Sequence, residues 1–495
     1  MQNLGDTDHI RKHANPFIKS LNAKKIDKYS YSTNSGVCLW IKYWGKGHIV
    51  PDYEMRLNVI DKLIGKKNIE DIALSLYKSK NMITDFECLS VSELGQIGND
   101  TLENLCKDLF IDNNLLFNSI NKELFYGSKP VFSKWLNNNN YVYYEGDLNF
   151  WIVQRFHFCY CVIFLDFELI VYRGGRGVKL SSAINDVDAI TQDGFIPLVE
   201  PKISLINGYY RPYHYFYDTL QTLEHSKISN FNEIIDLQEI AFLPSSILAP
   251  RLNNKVISVE ELPAYLKNKN SVAIALSSVR PIKGLNFIKS FSDKIYDRVE
   301  ATYKLSDEFV ENNFIIWIGI CQESRQWFEQ QTALEGLINK IKALRKDVHF
   351  IFDGLTCPHY LNEDEYKYEY CTKEIELLEE IVKSTGLKSA DFSNTIGAHA
   401  FKKIYFSKLV DFFITDALTD SIWPATFGKK PGVAYSIERS EIVQYHPNTE
   451  FVPQEHVIES GDQTGNWARV GFSIDPDFFI DFTISALEQK TSFYF

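Results

Sequence analysis

Short apolar runs alternate with longer amphipathic stretches over the carboxyl-terminal part of the chain, from about Asn313 onward. Phe314–Ile320 has the unbroken apolar character of a strand buried on both faces, and Glu329–Leu344 carries a helical stripe. Val348–Phe352 reads as a second buried strand ending at Asp353-Gly354, and Lys373–Thr385 and Asp477–Leu487 read as further helices. The stretch Asp411–Ser436, DFFITDALTDSIWPATFGKKPGVAYS, compresses the pattern into one unit. An apolar run, Phe412–Thr415, leads into a polar turn from Asp416 to Ser421. A short helical run, Ile422–Phe427, follows, is broken by Gly428-Lys-Lys-Pro431, and gives way to a second apolar run, Gly432–Tyr435. Strand, turn, helix and strand make a βαβ unit. The alternation as a whole predicts a parallel sheet covered on both faces.

Upstream the texture changes. From Tyr141 the chain is rich in aromatic and β-branched residues, and Phe150–Phe158, Cys159–Leu165 and Phe167–Tyr172 read as strands. Phe195–Leu198, Lys202–Ile206 and Ser271–Leu276 are shorter candidates, and Ile234–Leu243 continues the α/β alternation. Tyr213–Glu224 and Leu285–Phe309 have helical spacing. The first 140 residues are the least regular, with helix-like segments at Arg56–Ile64, Ile69–Lys78 and Thr101–Phe110. Four consecutive asparagines, Asn137–Asn140, mark a turn that serves either as a boundary or as a surface loop. These readings divide the chain into an accessory region (1–140), an acceptor-side α/β domain (141–310) and a Rossmann-like domain (311–495).

Composition narrows the class. A chain of 495 residues holds two or three domains, and 45% hydrophobic and 14% aromatic residues suit packed cores. A formal net charge of −12 argues against a broad nucleic-acid-binding face. The eight cysteines are scattered without a C-x-x-C pair, which suits buried thiols in a reducing compartment. The start MQNLGDTDHIRKHANPF lacks the apolar core of a signal peptide, and no run reaches the length of a membrane span. The expectation is a soluble, cytoplasmic protein.

Candidate chemistry sits at strand ends. In an open α/β sheet, ligands bind outside the carboxyl ends of the strands, and helix N-termini there can meet an anion with free N–H groups. Arg325 follows the first strand of the carboxyl-terminal domain, Asp353 ends the second, and Thr415, Asp416, Thr419, Asp420 and Ser421 follow the third. Arg325 has the planar fork suited to a diphosphate, and Thr419 and Ser421 would add hydroxyl donors. Asp420 has a structural alternative as a helix cap. A second landmark is Arg211-Pro-Tyr213-His214-Tyr-Phe-Tyr-Asp218, where His214 and Asp218 share a helix face and could act as a general base with its orienting carboxylate. Arg211 and Tyr213 would lie beside an acceptor. Asp186-Val187-Asp188 has the form of a metal-binding triplet, yet no apolar strand leads into it, and it reads as a loop.

The segment ITDALTDSIWPATFGKKPGVAY resembles the donor-site pattern of heptosyltransferases, glycosyltransferases of the type called GT-B. Thr419-Asp420-Ser421 stands where that family carries a glycine turn, and Trp423-Pro424 where it carries Met-His. The segments Ser324-Arg325-Gln-Trp327 and Phe352-Asp353-Gly354, with Arg211–Asp218, resemble bacterial transferases of surface-polysaccharide assembly. The resemblance implies a GT-B-like α/β fold: two Rossmann-like domains facing a cleft, with an additional N-terminal region. It implies an inverting transferase that moves a sugar from a nucleotide-sugar to a saccharide or glycolipid acceptor, without metal or other cofactor, in the cytoplasm or peripheral to the inner membrane. The competing readings are a metal-dependent sugar-phosphate transferase and a non-catalytic nucleotide- or glycan-binding protein.

Overall fold

The computed structural model describes residues 38–41, 48–49 and 129–493, apart from 138, 147–148, 156–157, 165–168, 173–179, 200, 221–230, 268–270, 276–284, 303–313, 323–325, 418–419, 438–447 and 461–470. The helices expected between residues 56 and 110 lie outside the described residues. The chain forms two compact units: Met1–Tyr209, Asp218–Leu237 and Arg251–Ile282 make the first, and Tyr210–Tyr217, Gln238–Pro250 and Lys283–Phe495 the second.

The first unit holds two sheets. One has seven strands in the spatial order His48–Ile49, Cys38–Ile41, Leu169–Tyr172, Phe158–Phe164, Phe150–Arg155, Asn139–Glu145 and Lys129–Leu136. All neighbours are antiparallel except Cys38–Ile41 and Leu169–Tyr172, which run parallel. The asparagine run is the turn of a hairpin within this sheet, and Asn137 takes the left-handed conformation (φ 51°) that asparagine tolerates. The expected boundary at residue 140 therefore falls inside a sheet. Phe195–Leu198 is not a strand: Phe195 packs its ring 5.0 Å from Phe132 and Tyr143 and 5.1 Å from Trp151. Ile196 and Val199 on either side are exposed, so one aromatic anchor accounts for the apolar signal. Asp186 and Asp188 lie in a helix, Leu180–Gln192, not in a loop, and Asp186 accepts hydrogen bonds from Tyr141 and Asn137.

The second sheet of this unit is wholly parallel, in the order Asn253–Ile257, Glu233–Leu237, Lys202–Asn207, Ser271–Ala275. Numbered along the chain, that is 3-2-1-4, the order of a Rossmann half-sheet. Its outer strand is bonded to the antiparallel sheet: Asn140 donates to the Ala273 carbonyl (2.8 Å), and the Ala273 amide donates to Ser133 Oγ (3.0 Å).

The second unit carries the more regular sheet, whose elements are numbered here in chain order. Its strands are β1 (Phe314–Gly319), β2 (Val348–Asp353), β3 (Phe392–Asn394), β4 (Phe412–Asp416), β5 (Gly432–Tyr435) and β6 (Thr449–Phe451). All pair in parallel, in the order β3-β2-β1-β4-β5-β6. This is the dinucleotide-fold order, with its reversal between β1 and β4. The helices are α1 (Leu285–Thr302), α2 (Gln330–Leu344), α3 (Glu363–Tyr370), α4 (Thr372–Thr385), α5 (Ala400–Ser407) and α6 (Pro476–Lys490). Alternate strand residues, among them Ile316, Ile318, Phe350, Phe352 and Ile414, form one core with α2, α4 and α6. The intervening Trp317, Ile351 and Phe413 are equally buried, so both sheet faces are covered, as their unbroken apolar runs require. The run Ile422–Phe427 is a single π-helical turn with all six residues buried, packed with α1 and α5.

Candidate active site

A cavity of about 330 Å³ opens at the carboxyl ends of β1, β2 and β4, within the second unit. That volume falls in the range of small-molecule sites, and the place is where the strand order reverses. Ile320 and Cys321 line it from the end of β1, Leu355 and Thr356 from β2, and Asp416 and Asp420 from β4. Tyr366, Tyr370 and Glu374 enter from α3 and α4; Tyr210, Arg211, Pro212 and Phe242 complete the wall from the two short segments that belong to this unit.

Two glycines shape the carboxylate side. Gly319 ends β1, and a Cβ there would lie 3.1 Å from Asp420 Cβ and 3.1 Å from Thr415 Cγ2. Gly354 follows β2, and a Cβ there would lie 3.2 Å from the Ile320 carbonyl and 3.4 Å from Glu374 Cγ. Glycine thus lets Asp420 and Glu374 lie directly over the strand ends. Behind them sits a wholly buried ion pair, Lys403 Nζ to Asp353 Oδ1 at 2.6 Å. Lys403 also donates to the carbonyls of Gly354 (2.8 Å) and Leu355 (3.0 Å) and to Thr356 Oγ1 (3.0 Å), and so fixes the loop that forms the β2 side of the cavity. Thr395 Oγ1 donates to Asp353 Oδ1 at 2.9 Å.

Charge in this cluster is strongly conditioned by burial. Burial pushes the Asp420 carboxyl well above its usual range; the neighbouring Asp353 and Asp416 push it further, against the opposing pull of Lys403. Burial also raises Asp353, with Lys403 and Thr395 offsetting the effect. The Tyr435 phenol is raised by burial and then by Asp416 and Asp420. Its Oη accepts from Gln330 Nε2 at 3.0 Å, which ties β5 to the start of α2. Three buried oxygens of the cluster lack a hydrogen-bond partner: Asp420 Oδ2, Asp353 Oδ2 and Thr415 Oγ1. Unpaired polar atoms of this kind are rare in folded proteins and concentrate at sites that act on something.

Of the residues singled out in the sequence, Asp353, Thr415, Asp416, Asp420 and Ser421 come together here, and Arg211 joins them in the cavity wall. Tyr213 and His214 form the neighbouring turn, Pro212–His214, without lining the cavity; the Tyr213 ring meets those of His214 (5.3 Å) and Tyr217 (4.8 Å). Arg325, Thr419 and the Asp218 side chain lie outside the described residues. Two expectations change. Ser421, not Asp420, occupies the cap position of the π-helical turn, and its side chain does not cap it. Among the described residues of that turn, carboxylates face the cavity, whereas Ser421 is fully buried and Ala425 N is bonded to the Ser421 carbonyl. Sequence reasoning missed Lys403, Glu374 and the tyrosines of α3. Gly319 and Gly354, each closing an apolar run, were the available signal for the carboxylates above them.

No protein-family model matches the chain, and no curated protein does. Among solved structures it is similar to the E. coli ADP-heptose LPS heptosyltransferase II, at 12% identity over 58% of this chain and 99% of that one, with a TM-score of 0.32. It is similar also to a glycosyl transferase family 9 protein from Veillonella parvula, at 9% identity over 59% and 98% of the two chains (TM-score 0.28). A third is E. coli heptosyltransferase WaaC with ADP-2-deoxy-2-fluoro heptose, at 11% identity over 51% and 94% (TM-score 0.25). By its own strand orders the chain is an α/β protein with two Rossmann-like parallel sheets, and the structures it is similar to are heptosyltransferase-like glycosyltransferases of the GT-B type.

Proposed function

We propose that the protein is a glycosyltransferase that takes its sugar from a nucleotide-sugar and binds that donor at the carboxyl ends of β1, β2 and β4. The observation carrying this reading is the cavity at the strand-order reversal, walled by Asp416, Asp420, Glu374 and Arg211. The reaction is an inverting displacement: an acceptor hydroxyl attacks the anomeric carbon, the bond to the diphosphate breaks, and a base takes the hydroxyl proton. Arg211 in the wall, with Arg325, compensates the charge of the departing diphosphate, and no metal is required. His214 or Asp218, on the turn that follows Arg211, is the base, and Tyr213 lies on the acceptor side. The acceptor is a saccharide or glycolipid, with the enzyme in the cytoplasm or peripheral to the inner membrane; among the described residues no helix is long and apolar enough to cross a membrane.

A thermal-shift series against UDP, GDP, ADP, CMP and their sugars tests the reading, because a ligand bound only by the folded form raises the melting temperature. One nucleotide should give a clear upward shift, about 2.7 kcal/mol of stabilisation at a hundredfold excess over Kd. The absence of a shift with every nucleotide would overturn the proposal.

A further inference from the structure

The carboxylates of the cavity have a chemistry that a phosphate does not match. Glu374 is 2% exposed, Asp416 5% and Asp420 6%, so each is held within the wall instead of swinging in solvent. Asp420 lines the cavity with a buried Oδ2 that no group of the protein satisfies. Asp353 lies close enough to bear on its charge, and Lys403, the nearest buried cation, already donates to Asp353, Gly354, Leu355 and Thr356. Phosphate oxygens at neutral pH accept hydrogen bonds and carry negative charge, so they are repelled by ionised carboxylates. A hydroxyl both donates and accepts, and it therefore complements a carboxyl group in either protonation state. Tyr210, Tyr366 and Tyr370 add aromatic surface to the same cavity.

Building on the donor-site reading above, we propose that Asp420, Asp416 and Glu374 bind the hydroxyls of a sugar ring. The ring is the ribose or the transferred sugar of the donor. The phosphates lie at Arg211, away from the strand ends.

The sign of a charge-removing substitution separates this arrangement from its opposite. Binding of UDP, ADP, GDP, UDP-glucose, ADP-glucose and GDP-mannose to the full-length protein is measured by titration calorimetry for the wild type, Asp420→Asn and Glu374→Gln. Each variant should bind the preferred probe at least fivefold more weakly than wild type. Weakening already seen with the free diphosphate assigns the carboxylates to the ribose; weakening confined to the sugar-bearing probe assigns them to the transferred sugar. Either outcome supports the proposal. Unchanged or tighter binding by the variants overturns it, since removing a negative charge beside phosphates strengthens their binding. In that case the donor-site reading stands, because the wild type still binds. If the wild type binds none of the six probes, both fall. Melting curves check that the variants fold, and Glu374→Gln carries the test if Asp420→Asn does not.

Discussion

Lys403 has no solvent exposure, yet its ammonium meets Asp353, two carbonyls and a hydroxyl, so the whole hydrogen-bonding capacity of a lysine is spent inside the protein. Such a pair adds little net stability over an apolar substitute, but breaking it by removing one partner strands the other. Lys403→Met should therefore cost about 3–5 kcal/mol in urea denaturation. The double variant Lys403→Met/Asp353→Asn should lose clearly less than the sum of the two singles; additivity would show that the two side chains do not depend on each other. Gly432 is a second sharp point. A Cβ there would lie 2.4 Å from the Phe413 ring and from the Phe413 carbonyl, both on the adjacent strand. Gly432→Ala should destabilise by about 1–3 kcal/mol, the usual cost of overpacking, read as a fall in the denaturation midpoint. Both glycine and lysine are plain in the sequence, but what each faces comes from a strand or helix distant along the chain. Asp353, Asp416 and Asp420 were legible because they close or follow apolar runs. Lys403 was not, because a lysine on a helix normally marks a solvated face.

The loop entering α3 and the start of α5 form a small titrating unit. His359 is held down to about 4, by burial first and then by the charge of His399, whose ring lies 5.6 Å away. Burial works against ionisation of Glu363, but hydrogen bonds from His399 and Lys402 outweigh it and hold the carboxyl far below its usual range. Between pH 6.5 and about 4 the unfolded chain takes up a proton that folded His359 refuses, so stability rises with pH across that window and is lost on acidification. Glu363 acts in the same direction at lower pH, where its unfolded form protonates first. The full His359 effect is roughly 3 kcal/mol, and His359→Gln should flatten the pH dependence of the urea midpoint between pH 6.5 and 4.5. An unchanged slope in that variant would remove His359 from the account. Elements themselves were mostly readable. The buried strands of the second unit stand out as apolar runs, and α2, α4 and α6 as stripes. Leu180–Gln192 was misread as a loop because Asn185, Asp186 and Asp188 drew attention to its polar side. Ala183, Val187 and Ile190 are buried at helical spacing and were the better guide. The π-helical turn is too short for any periodicity to register.

At the scale of the molecule, the order of strands could not be read from the sequence, because apolar runs say which segments are buried and not which lie side by side. Nor could the division into units. The sequence reading placed one break near residue 140 and another near 310, whereas six segments alternate between the two units. Within the second unit, Phe216 packs 5.0 Å from Trp423 and 5.6 Å from Phe427, and Tyr217 Oη is 2.6 Å from Thr426 Oγ1. Arg298 of α1 donates to the carbonyls of Ile247 (3.2 Å) and Leu248 (3.0 Å). A fragment beginning at Lys283 lacks both inserted segments. It should fail to give the dispersed amide spectrum and cooperative melting of the intact protein, and a well-folded fragment would show these contacts to be dispensable. The same interleaving bears on biosynthesis. Tyr217 leaves the ribosome 209 residues ahead of Thr426, an interval of roughly 10–40 s at typical translation rates. For that time Phe216 and Phe242 have no sheet to join, so the nascent chain must keep two aromatic segments from mispairing until β4 and the turn after it have been made.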